Sequence, residues 1–79
     1  MKWYATEGLD VKIDAYVDLS RCCRLWLNET LGKKEGYTVN ATVEGKDYEL
    51  FHTYDIEQAS LKLEEIMDFI RNENAKIYR

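Results

Sequence analysis

No proline occurs in the 79 residues, histidine occurs once, and cysteine twice in adjacent positions. The single histidine, His52, leaves a metal site to be assembled from scattered carboxylates and cysteines. No spaced Cys pair, His-Glu-x-x-His run or calcium loop is present. Neighbouring residues of a strand point to opposite faces, so a Cys22–Cys23 disulfide would need a strained turn. Reduced thiols in a reducing compartment are the simpler expectation. The four glycines stand singly in turns, which excludes a glycine-rich phosphate loop. No apolar run is long enough to span a bilayer, and residues 1–4 lead into polar sequence without a secretory apolar core. The chain is therefore read as cytoplasmic. The sequons at Asn28 and Asn40 then read as chance matches. Positive charge is also short: 11 Lys and Arg against 15 Asp and Glu give −4. A field of that sign disfavours adhesion to nucleic-acid polymers or anionic membranes.

What is present is order. A charged fraction of 33% beside an apolar fraction of 46% argues against disorder. The length allows one domain (residues 1–79), and a chain this short buries only about 60–65% of its unfolded surface, so association would help it. The organising stretch is residues 55–74. Asp55 can cap a helix and Gln58, three residues on, can complete a capping box. Ile56, Ala59, Leu63, Ile66, Met67 and Ile70 then recur at the spacing of one buried helical face, with no glycine or proline between them. Glu57, Lys62, Glu64, Glu65 and Asp68 supply the wet face.

Alternation predicts strands before it, at about residues 2–6, 9–14, 22–28, 37–43 and 48–54. Residues 18–21 carry turn-forming side chains. A two-residue Gly45-Lys46 loop of type II′ would close the last hairpin. That register sets Val43 beside Tyr48, Ala41 beside Leu50 and Val39 beside His52. Residues 75–79 would add half a turn or fray. The expected architecture is α+β: a four- or five-stranded antiparallel sheet covered on one face by a single C-terminal helix.

Catalytic signals are few. Arg21 and Arg24 bracket the cysteines and cations lower a thiol's pKa, but no base or oxyanion site stands beside them. Glu64, Glu65 and Asp68 read as a hydrated helix face and His52 as a packed strand histidine. The chain is accordingly not read as an enzyme, and no cofactor or metal is expected. Surface hydrophobicity is the positive signal. Trp26 and Phe51 are expected on the uncovered sheet face, Leu61 opposite the helix stripe, and Phe69 on its flank. These four would anchor a protein partner or a second copy, with Arg24 beside Trp26 and Glu57, Glu64 and Asp68 as a charged rim. The alternative is an oligomer holding a nucleotide-like anion between aromatics and Arg24.

Residues Tyr48-Glu49-Leu50-Phe51-His52-Thr53-Tyr54, followed by Ala59, Leu63 and Ile66, resemble a pattern of small proteins from Gram-positive bacteria and their phages. The resemblance covers the last half of the chain and brings no catalytic residue. It implies a sheet of four or five strands with one helix and an origin on a mobile element. It also implies an inhibitor that occludes a component of host defence.

Overall fold

The computed structural model describes residues 1–7, 15–30 and 35–72, together with the backbone of 77–78. The elements run β1 (Trp3–Ala5), β2 (Tyr16–Asp18), β3 (Cys22–Thr30), β4 (Gly36–Val43), β5 (Lys46–Thr53), α1 (Ile56–Arg71) and β6 (Ile77–Tyr78). The α+β class is as expected. The predicted strand at 9–14 lies outside the described residues.

The single sheet is replaced by two of three strands, ordered β2-β1-β6 and β3-β4-β5. Among the described residues, one bridge joins them. Lys2 and Thr6 direct their backbone bonds to Leu19 and Ala15 on one side, whereas Glu7 turns to β5, donating to Leu50 and accepting from His52. The first strand thus runs out of the small sheet onto the edge of the large one. β6 replaces the expected fray and lies parallel to β1, the direction a chain takes when it returns over a helix. The turn before β3 behaves as its residues promise. Asp18 accepts from the Ser20 N–H and hydroxyl and from the Lys2 N–H; the Lys2 bond leads in holding its carboxyl below the usual range.

The β4–β5 turn sits one residue earlier than predicted. Val43 pairs with Lys46, and Glu44 and Gly45 both have positive φ, 50° and 83°. Two such residues make a type I′ turn, whose twist suits the flanking strands. A bulge between Val39 and Asn40 then leaves Leu50 as an extra residue on β5. Val39 therefore faces Phe51 and not His52, and Ala41 faces Tyr48 and not Leu50.

Asp55 caps the helix as predicted, its Oδ1 accepting from the Glu57 N–H at 2.9 Å. The reciprocal bond comes from Thr53, not Gln58: the Asp55 N–H donates to Thr53 Oγ1 at 3.2 Å. The helix stops at Arg71, with Asn72 as its C-cap, short of the predicted 74. Its inward residues are Ala59, Ile66 and Phe69, and they join Tyr4, Leu19, Val39, Ala41 and Leu50 in the core. Two expectations reverse here. Ile56, counted as core, is 51% exposed, and Phe69, counted as surface, is 6% exposed. A lone sheet would leave the helix flank wet, but the small sheet lies beside it. Lys2 holds its Nζ 5.4 Å from the Phe69 ring centre, closing that side.

Candidate protein-binding surfaces

The helix rotation and the β5 bulge decide which of the predicted contact residues reach solvent. Phe51 does not stand beside Trp26. The bulge turns it to the helix side, where it packs on the core under Lys62, whose Nζ is 5.0 Å from its ring centre. Lys62, predicted on the wet face, is half-buried there and pairs with Glu65 at 3.1 Å. Its stem covers an aromatic ring while the ammonium stays wet. Phe69 belongs to the core. Neither phenylalanine is a free anchor.

The remaining six residues fall on three separate surfaces. Leu61 and Glu57 lie at the start of the helix, sharing with Ile56 and Ser60 a shallow concavity of ≈420 Å³. Leu61 is 54% exposed and Tyr54, just before the cap, 69%. Periodicity alone flagged Leu61. Ile56 was missed, because its spacing counts it in the buried stripe, and Tyr54 lines a separate hollow with Glu29, Thr30, Glu35, Gly36 and Tyr37.

Glu64 and Asp68 sit along a groove of ≈350 Å³ between the helix and β3, with Leu25, Leu63, Met67 and Arg71. Its floor is apolar, and both signs of charge stand on its rim.

Trp26 and Arg24 occupy the sheet face away from the helix, as alternation required. The Arg24 guanidinium lies 4.3 Å from the Trp26 ring centre, a cation–π contact. Trp26 is paired with Asn40, and Thr38 with Asn28 and His52. His52 is buried, its Nε2 placed 3.3 Å from the Glu35 carbonyl. Thr38 is almost fully buried, yet among the described residues its Oγ1 has no hydrogen-bond partner. An unmet hydroxyl costs about 1–3 kcal/mol. Thr38→Val keeps the shape and removes the group, and should raise the melting temperature by about 4–8 °C per kcal/mol recovered. A lower melting temperature would mean that the hydroxyl is bonded in solution.

The cysteines are free, Cys22 half-buried and Cys23 exposed. Burial pushes the Cys22 thiol up, and a backbone hydrogen bond from Arg24 only partly offsets this. That is the opposite of the activation a thiolate nucleophile needs. Among the described residues, no group of three or more His, Cys, Asp or Glu side chains could hold a metal, and no helix is long and apolar enough to cross a membrane.

Comparison with family models, curated proteins and solved structures finds no match.

Proposed function

We infer that this protein binds another protein and covers part of its surface, without catalysing a reaction. The observation that carries this reading is the apolar group at the head of the helix. Ile56 and Leu61, which line one concavity there, are each more than half exposed in a 79-residue chain with a small core to fill. Large apolar groups gathered at one place on a small domain mark contact sites. Asp55 and Glu57 flank them, so the complementary partner surface is an apolar knob within a basic rim. The resemblance of the β5 segment to short phage products makes a bacterial host-defence component the partner class to screen first. No cofactor enters this reading, and the bacterial cytoplasm is where such a partner is found.

The test is affinity capture from bacterial lysate, purification of the captured protein, and titration with wild type and Leu61→Glu. A hot-spot residue is worth about 2 kcal/mol, so the variant should bind roughly 30-fold more weakly. Equal affinities for the two would remove the patch from consideration.

A second reading, an oligomer that sequesters a nucleotide-like anion, draws on the Arg24–Trp26 stack. It ranks second because the guanidinium already covers one face of the indole. Thermal shifts separate the two. A ligand that binds only the folded state raises its melting temperature, and a rise with millimolar nucleotide that is lost in Trp26→Ala would favour the anion.

A further inference from the structure

We propose that a second copy of this chain docks on the outer edge of β3, joining two β3-β4-β5 sheets into one antiparallel sheet of six strands. The inference stands apart from the partner reading above, since it uses neither Ile56 nor Leu61.

β3 is a nine-residue strand paired only with β4 among the described residues. The ladder tells which of its groups are open. The His52 N–H donates to Glu7 and so points away from β4. Thr38, opposite His52, must then turn its own N–H and C=O toward β3. Asn28 and Trp26, opposite Thr38 and Asn40, use theirs on β4. This leaves the N–H and C=O of Leu25, Leu27 and Glu29 along the outer edge.

Natural edges are protected by charge and bulges. Here the bulge at Cys23 and the charges of Arg24 and Glu29 stand at the ends, while Leu25-Trp26-Leu27 between them is bare. An edge of this kind is a template for another strand.

Self-complementarity selects the occupant. A two-fold axis normal to the sheet at Trp26 pairs Leu25 with the second copy's Leu27 on the helix side, through the open backbone groups. On the opposite side it sets the two Trp26 side chains at a non-hydrogen-bonded position, where Cβ atoms are about 4.5–5.5 Å apart and aromatic pairs gain most. Arg24 meets the second copy's Asn28, so no like charges oppose. The helix packs across β3, β4 and β5, so centred on β4 the two helices run antiparallel across the axis about 14 Å apart, three strand spacings. That is wider than the roughly 8–10 Å of direct helix contact. The gap is the groove described above, from both copies: Leu25, Leu63 and Met67 fill it, and Glu64 of one helix reaches toward Arg71 of the other. No ion pair joins Glu64 and Arg71 among the described residues of one copy, and the second copy gives each an opposite partner.

Sedimentation equilibrium of the full chain, from about 10 µM to 1 mM, tests this, over the range where a weak dimer forms. The expected mass rises from 9.4 kDa to twice that value with concentration. Leu27→Pro removes an outward N–H that β4 does not use and should weaken dimerisation at least about 100-fold while far-ultraviolet circular dichroism is retained. Arg71→Glu should weaken it about 10-fold, and Glu64→Arg/Arg71→Glu should restore it, a result that lost folding could not mimic. If Leu27→Pro fails to fold, the charge exchange alone decides. A 9.4 kDa species at every concentration overturns the proposal. So does a dimer whose affinity is the same in Arg71→Glu and the wild type.

Discussion

Replacing Phe69 by alanine will cost about 3–5 kcal/mol, the range for a large aromatic removed from a packed core. A domain of this length holds roughly 4–12 kcal/mol in total, so much of the Phe69→Ala population should be unfolded at 37 °C. The ring is 6% exposed and touches the group in which Tyr4, Leu19 and Ile66 meet. It lies where the helix bears on both sheets, so the cavity cannot close by a shift of one element. Ile56→Ala, on the same helix, should change stability by less than about 1 kcal/mol, because half the side chain is already in water. Urea denaturation followed by circular dichroism measures both. The contrast is the sharper observable: if Ile56→Ala proves the costlier substitution, the helix is rotated from its place here.

Gly36→Ala should be nearly as damaging for a backbone reason. Gly36 has φ +129°, a conformation that side-chain-bearing residues rarely adopt, and a Cβ built there would lie 2.6 Å from the Thr53 carbonyl oxygen and 3.1 Å from His52 Nε2. The carbonyl belongs to the neighbouring strand and cannot swing aside without breaking the β4–β5 register. Strain of this kind costs about 1–3 kcal/mol before any clash is counted, so a drop in melting temperature of roughly 10 °C or more is expected. Gly45→Ala is the matched control. Its φ is +83° but no atom lies within 4 Å of a built Cβ, so only the left-handed penalty of about 1–2 kcal/mol applies. Equal losses in the two variants would mean that crowding at Gly36 is relieved in solution.

Much of the fold was legible in the chain. β3, β4 and β5 were readable because their polar and apolar residues alternate over enough length to outvote local noise. The Asp55 cap was readable because a cap is a local hydrogen bond between residues two apart. Trp26 and Arg24 share a parity in an uninterrupted part of β3, and parity placed them on the face opposite the helix. Phe51 lost the same argument to a single bulge. One extra residue inverts every assignment beyond it, and the sequence 48–54 carries no glycine or proline to announce one.

The remaining decisions were made between distant segments. Local pattern alone determined the α+β class, the helix, its start and three long strands, because each rests on contacts within a turn of helix or along one strand. Tertiary structure alone divided the strands into two sheets, brought Ile77–Tyr78 back beside β1 and turned the helix so that Phe69 faces inward and Ile56 outward. Periodicity shows that a helix has an apolar side, but two neighbouring stripes can satisfy it almost equally. Which stripe is buried depends on what lies beneath it, and here that was a small second sheet built from the two ends of the chain.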